Sequence, residues 1–386
     1  MTRMRGQLDW VLFITAVALT SFGLVMVYSA SSVIAEVRYS VGTYHFLVRQ
    51  AAAAAVGFLL LTVISQTDYR KLATPTWAFS GIGLTITALL AVYPLDPKHR
   101  WLHIAGFQLQ PSEFAKPALV VFLAWFVTQR AGDINSRHTL MPAGICLLAL
   151  AFGVGVADMG TALVLVATAA AVFYVAQTHR KYLAMAVVAT LVLGIGAILS
   201  KPYRVNRIIK RVDPDYRWLV KLDPGHRLEK YGESGNTVKD PNYQGLQSRI
   251  AVATGGPLGQ GLMRSKQKLL FLPEVQTDFI YAVIGEELGL LGGIAVIAAF
   301  LVVLWRGYRL YWAALDDFGR YLAIGATTCL VFQAMMNVSV ALDMGPTKGI
   351  PLPLVSYGGS SLLSSMILIG ILLSVSERSG AADGAD

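Results

Sequence analysis

The stretch Leu272-Pro273-Glu274-Val275-Gln276-Thr277-Asp278-Phe279-Ile280-Tyr281-Ala282-Val283-Ile284-Gly285-Glu286-Glu287 marks the point where a long polar segment gives way to an apolar helix. Carboxylates stand at its mouth and inside it. An ionised Asp or Glu in hydrocarbon costs roughly 2.5–3.5 kcal/mol on insertion scales, so such a residue is rarely there without a partner or a task. Glu286 and Glu287 lie about 12–14 Å beyond Asp278 at ~1.5 Å per residue, too far to share one small site with it, and are expected to brace neighbouring helices. Asp278 has two readings. Thr277 or Asp278 can cap the helix by accepting from its free N–H groups. Alternatively, Glu274 one turn earlier, with Lys266 and Lys268 upstream, makes Asp278 part of a charged pocket at a membrane surface.

Composition supports the membrane reading. Of 386 residues, 55% are hydrophobic and only 14% charged, against about 25% charged in a soluble domain. The net charge of +9 does not gather into a basic domain. Lysines and arginines punctuate apolar runs instead, which argues against nucleic acid as a partner. Cys146 and Cys329 both lie inside apolar runs, where packing is expected rather than a disulfide or a metal. Arg3 and Arg5 precede an apolar run from Trp10 to Ala30 that is too long for a signal peptide and is followed by many more. It is expected to be a retained first membrane helix.

Runs of about twenty apolar residues centre near 10–30, 46–64, 75–94, 112–129, 139–157, 160–177, 182–200, 279–304, 318–341 and 354–375. The expected fold is therefore an all-α integral membrane protein of about ten transmembrane helices. The whole chain, 1–386, reads as a single polytopic domain, with 201–276 as one long loop between helices 7 and 8. Arg3, Arg5, Arg70, Lys71, Arg130, Arg137, Arg180, Lys181, Arg306, Arg309, Arg320 and Arg378 fall on one face. Outside the long loop, the other face holds Arg38, Lys98, Arg100 and Lys348, with Arg49 and Lys116 just inside helix ends. The positive-inside rule then makes both termini cytoplasmic and the long loop extracytoplasmic. The polar equipment, from the His99-Arg100-Trp101 loop to Ser356 and Ser360, faces outward.

Several segments of that outer face carry candidate chemistry. In Gln110-Pro111-Ser112-Glu113-Phe114-Ala115-Lys116 the proline-led start suits a helix N-terminus, and the i, i+3 spacing lets Glu113 and Lys116 pair. That pair either braces the bundle or contacts a ligand head group. Asp158-Met159-Gly160-Thr161 puts an acid at the junction of the fifth and sixth helices. Pro346-Thr347-Lys348-Gly349 and Ser356-Tyr357-Gly358-Gly359-Ser360 add a cation, hydroxyls and glycines. Tyr243–Thr254 has helical spacing, and Gly255-Gly256-Pro257-Leu258-Gly259-Gln260-Gly261 forces a tight turn or a re-entrant bend. No Walker A pattern, paired-Cys metal motif, Gly-x-Ser-x-Gly elbow or Rossmann fingerprint occurs. An outward-facing enzyme without a nucleotide needs a substrate that carries its own leaving group. A lipid pyrophosphate-linked sugar does, with a carboxylate to deprotonate the attacking hydroxyl.

These motifs, in this order, resemble the SEDS family of membrane peptidoglycan polymerases, which includes RodA, FtsW and SpoVE. The resemblance rests on Gly23-Leu24-Val25-Met26-Val27-Tyr28-Ser29-Ala30-Ser31, Gln110-Pro111-Ser112-Glu113, the Gly255–Leu262 turn, Gln267-Lys268, the Leu272–Gly289 segment and Pro346 through Ser360. It implies a ten-helix fold in the cytoplasmic membrane and peptidoglycan glycosyltransferase activity for cell elongation or division. Lipid II would be polymerised at the outer face with release of undecaprenyl pyrophosphate. Asp278 falls on the family's essential aspartate. Glu113, Lys116, Asp158, Lys268, Glu274, Lys348 and Ser356 are the expected substrate contacts. A class B penicillin-binding protein is the implied partner and a divalent cation, Mg²⁺ or Mn²⁺, the implied cofactor. Two positions depart from the pattern: Gln276 stands where the family carries histidine, and Val156-Ala157 precede Asp158 where a proline is usual. Against this reading stand a flippase for the lipid-linked precursor and a non-catalytic scaffold for the penicillin-binding protein.

Overall fold

The structure, a computed structural model, describes residues 8–96, 100–104, 107–199, 241–269, 271–273, 275–345 and 349–379. The segment expected outside the membrane at 201–276 is therefore described from 241 onward, and Glu274 and Lys348 lie outside the described residues.

The helices follow the apolar runs. They are α1 (Trp10–Val37), α2 (His45–Gln66), α3 (Pro75–Leu95), α4 (Pro111–Gln129), α5 (Arg137–Ala157), α6 (Met159–Val175), α7 (Arg180–Leu199), α8 (Pro241–Gly255), α9 (Ile280–Ala313), α10 (Asp317–Ala341) and α11 (Gly359–Arg378). Among the described residues seven of them, α1, α2, α3, α5, α9, α10 and α11, are long and apolar enough to cross a membrane, and α6 is a shorter apolar helix of 17 residues. Adding α4, α6 and α7 gives the ten runs read from the sequence. The helical expectation needs one addition. Leu102–Ile104 (β1) and Phe107–Leu109 (β2) pair antiparallel, with Leu102 opposite Leu109 and Ile104 opposite Phe107.

Local chemistry sets the helix ends. Asp9 caps α1 by accepting from the Leu12 N–H at 3.0 Å, and its other oxygen accepts from Arg306 Nε at 2.7 Å, fastening the start of α1 to α9. Asp158 alone separates α5 from α6: its extended backbone closes one helix, and its carboxylate accepts from the Gly160 and Thr161 N–H groups of the next. Two ends differ from the apolar runs. The last helix was expected from residue 354 but starts at Gly359, because Pro351, Pro353 and the positive φ of Leu354 (65°) hold the preceding residues in turns. At the other end α9 runs on to Ala313, past the expected 304.

The Gly255–Gly261 bend is re-entrant, and it repairs a break in α9. Gly289 interrupts that helix with φ 69°, a left-handed conformation that glycine adopts without steric cost. The break frees the carbonyls of Glu286 and Glu287 and the N–H groups of Leu290 and Leu291. The Gln260 and Gly261 N–H groups donate to those two carbonyls at 2.9 and 3.0 Å, while Leu290 and Leu291 donate to the Gly256 and Pro257 carbonyls at 2.9 and 3.3 Å. In lipid each unmet backbone group costs several kcal/mol, so bend and break require each other. The core cluster runs through α1, α2, α9, α10 and α11, with a second cluster joining α3, α4, α5 and α6.

Candidate active site

The starts of α4, α6, α9 and α11 meet at one end of the bundle, and the strap 349–358 leading into α11 crosses between them. Asp278 lies in the turn before α9. That helix has Phe279 at its N-cap position, with Thr277 and Asp278 in the turn just before it. Asp278 is half-buried. Its carbonyl accepts from Asn337 Nδ2 at 2.9 Å, and the same amide donates to the Ile350 carbonyl at 2.7 Å. Its carboxylate rests on Gly349, where any Cβ would collide with it. The strap's backbone thus packs directly against the Asp278 carboxylate.

One turn along α10, Gln333 Nε2 donates to the Pro351 carbonyl at 2.8 Å and Gln333 Oε1 accepts from Lys116 Nζ at 2.6 Å. Lys116 also donates to Glu113 Oε2 at 2.6 Å, and both side chains are buried. The expected i, i+3 pair therefore exists, and among the described residues Gln333 links it to the strap that touches Asp278. Ser364 Oγ donates to the Glu113 carbonyl at 2.8 Å, adding α11 to the brace. Ser356 acts on the other side: its hydroxyl donates to the Thr277 carbonyl at 2.6 Å and accepts from the Leu352 N–H at 2.8 Å. The Tyr357 N–H donates to the Gln276 carbonyl at 2.8 Å, and Gln50 Nε2 donates to the Ser356 carbonyl at 3.0 Å. Gln276 itself is buried, and its Oε1 has no hydrogen-bond partner.

Asp158 belongs to a second group. Besides capping α6 it accepts from Thr161 Oγ1 at 2.9 Å and Gln110 Nε2 at 3.4 Å, and Arg100 Nη2 lies 3.6 Å away. The Gln110 N–H donates to Ser360 Oγ at 2.9 Å, which joins this group to the start of α11. Arg100 side-chain exposure is 39%, the most open of these charges. Lys268 belongs to a third. Its side chain is 3% exposed, and its ammonium donates to Glu287 Oε1 at 2.8 Å and to Ser29 Oγ at 3.2 Å, which pins the re-entrant bend between α1 and α9. Glu286 accepts from Ser265 Oγ at 2.5 Å and from the Lys266 N–H at 2.8 Å. The two glutamates brace neighbouring segments, as their depth suggested. Asn337, Gln333, Gln50 and Arg100 were missed as site residues. For Gln333 and Asn337 the available signal was two amides at i, i+4 in a membrane helix.

Among the described residues no three His, Cys, Asp or Glu side chains converge as a metal site. The described residues form no cage for a divalent cation.

A polytopic helical membrane protein whose polar site is assembled from re-entrant and strap segments at one end of its bundle is the class that this fold and site define. Comparison with known proteins narrows it. The cell cycle protein family of FtsW, RodA and SpoVE matches residues 9–380, and the chain belongs to that family. It is 38% identical over 380 residues to a probable peptidoglycan glycosyltransferase FtsW of Geobacter metallireducens, covering 96% of this chain and 95% of that one. Stage V sporulation protein E of Bacillus subtilis is 35% identical over 390 residues, covering 98% and 100%. A chain from a peptidoglycan synthase complex that coordinates polymerization and crosslinking superposes with a TM-score of 0.72 at 25% identity, covering 96% of this chain and 97% of that one. The rod shape determining protein RodA of Thermus thermophilus shares the fold, with a TM-score of 0.66 at 22% identity, covering 97% and 98%.

Proposed function

We propose that this protein is a peptidoglycan glycosyltransferase that polymerises lipid II at the outer face of the cytoplasmic membrane, with Asp278 as general base. The observation that carries this reading is the setting of Asp278: a half-buried carboxylate in the turn at the mouth of a membrane helix, in contact with the glycine that opens the strap. The carboxylate takes the proton of the acceptor sugar hydroxyl as that oxygen attacks the anomeric carbon of the donor. The bond from that carbon to the pyrophosphate oxygen breaks, and its electron pair leaves on undecaprenyl pyrophosphate. General-base assistance of this kind contributes about 10²–10⁴-fold.

Arg100, open and beside Asp158, is the cation best disposed to meet the pyrophosphate, where charge develops. Glu113, Lys116, Ser356 and Lys268 are all turned into protein contacts and support the reaction by holding the strap and the re-entrant bend. Glu274 and Lys348 remain substrate contacts by resemblance. A divalent cation would be held largely by the donor's phosphates, as Mg²⁺ commonly is. The ten-span topology with both termini cytoplasmic and the class B penicillin-binding protein partner belong to the same proposal. The test is lipid II polymerisation by purified protein with that partner, with and without Mg²⁺ or Mn²⁺, beside Asp278→Asn. Glycan from wild type and none from the variant supports it. Equal rates from both would remove Asp278 from the chemistry, and product-free transfer of precursor across liposomes would favour a flippase.

A further inference from the structure

A cavity of about 580 Å³ lies between α5, α6 and α7 and runs along α5 from Arg137 to Ala151. Its size falls within the roughly 300–1,000 Å³ of small-molecule sites. Small residues create it: Gly144 and Ala151 of α5, Ala169 and Ala170 of α6, and Ala186 and Ala189 of α7 all line the gap, and larger apolar side chains finish the wall. Met141, Ile145 and Met185 on its lining are exposed, so the cavity opens at the surface of the bundle. In a bilayer the surrounding acyl chains are as apolar as leucine, so the cavity suits a lipid tail.

The mouth is polar. Arg137, the first residue of α5, lines both this cavity and an adjoining cleft that adds His138. Thr178 also lines the cavity; it is 6% exposed and its hydroxyl has no hydrogen-bond partner. A fastened turn holds it there. Asn135 Nδ2 donates to the Gln177 carbonyl at 3.3 Å, Asn135 Oδ1 accepts from the His179 N–H at 2.7 Å, and the Thr178 N–H donates to the Phe173 carbonyl at 3.1 Å. Arg130 in the loop after α4, and Arg180 and Lys181 in the first turn of α7, stand nearby in sequence against the single acid Asp133 of those loops. Basic pockets between membrane helices on the cytoplasmic side are suited to anionic head groups, and the charge asymmetry of the chain puts this end there.

We propose that this cavity binds an anionic diacyl phospholipid of the cytoplasmic leaflet, one acyl chain lying between α5 and α7, with the phosphate facing Arg137 at the polar end. The site is separate from the Asp278 pocket and does not depend on the reaction proposed there.

The experiment is retained-lipid analysis by native mass spectrometry, after equilibrating the full-length protein with vesicles of equal phosphatidylglycerol and phosphatidylethanolamine. Wild type is expected to retain phosphatidylglycerol preferentially. Gly144→Phe, placed where a Cβ meets nothing within 4 Å, fills the cavity and should lose the lipid. Gly153→Phe, on the same helix with equally open space but outside the cavity, should behave as wild type and controls for folding. Arg137→Gln should keep the lipid but lower the head-group preference about fivefold, the effect of one cation near a membrane surface. Retention by Gly144→Phe equal to wild type overturns the proposal. So does an unchanged preference in Arg137→Gln, or a retained lipid that is polyprenyl rather than diacyl.

Discussion

The Asn337 amide donates to the carbonyls of Asp278 and Ile350 at 2.9 and 2.7 Å, so one buried side chain sets the distance between the reactive turn and the strap packed against it. Asn337 is 0% exposed. Asn337→Leu keeps the volume but leaves two carbonyls unmet, at about 1–3 kcal/mol for each buried group. The expected result is a lower Tm and a fall in polymerisation that Asn337→Asp does not restore, because an ionised carboxylate has no hydrogen to donate to either carbonyl. Thermal unfolding in detergent, beside initial rates, checks it.

Asp278→Asn preserves shape and removes the base. Polymerisation should drop about 10²-fold or more, while thermal stability and assembly with the partner stay unchanged. A variant within twofold of the wild-type rate contradicts the assignment.

Gly349→Ala places a Cβ against the Asp278 carboxylate, whereas Gly345→Ala meets nothing closer than 3.7 Å. The first should displace the carboxylate and abolish glycan synthesis in a folded protein, and the second should be active. If both behave alike, the strap does not set the position of the carboxylate.

The Lys268–Glu287 pair is closed to solvent on both sides, at 3% and 0% exposure. Removing one partner of such a pair strands a charge and costs about 3–5 kcal/mol, whereas removing both is far milder. Lys268→Met and Glu287→Gln should each destabilise strongly, and the double variant should recover a large part of the loss. Additive losses in unfolding measurements would show that the two residues act separately.

At the other end of the bundle, Asp316 accepts from Tyr69 Oη at 2.7 Å and from Arg70 Nε at 3.0 Å. Burial pushes its carboxyl upward, but hydrogen bonds from the Gly319 N–H, Tyr69 and Arg70 outweigh this and hold it below the ordinary carboxylate range. A depressed folded value stabilises the protein fully above the unfolded value of about 3.9 and loses that contribution as pH falls through the folded one. Wild type should therefore lose stability more steeply than Asp316→Asn on acidification below about pH 4. Parallel Tm-against-pH curves for the two proteins would refute the linkage.

How much of this was legible in the chain differs from residue to residue. Apolar runs place the helices because lipid admits backbone only when its hydrogen bonds are met locally, and that constraint is written in composition. The pairing of Glu113 with Lys116 follows from helical spacing, and the bend at Gly255–Gly261 from its glycines. The break at Gly289 was hidden, since one glycine in a long apolar run is consistent with an unbroken helix. What the bend was for could be seen only once its N–H groups were found on the carbonyls of Glu286 and Glu287. Likewise Lys268 reads as an available cation and proves to be buried on Glu287, 19 residues away. The amino-acid order by itself determined the membrane fold, the family and the place of Asp278, because hydropathy and local spacing are properties of neighbouring residues. Which polar groups meet one another was decided by tertiary packing: Asn337 on Asp278, Gln333 on Lys116 and Ser356 on Thr277 join residues far apart in the chain. Burial in a medium without water leaves such groups no partners but each other.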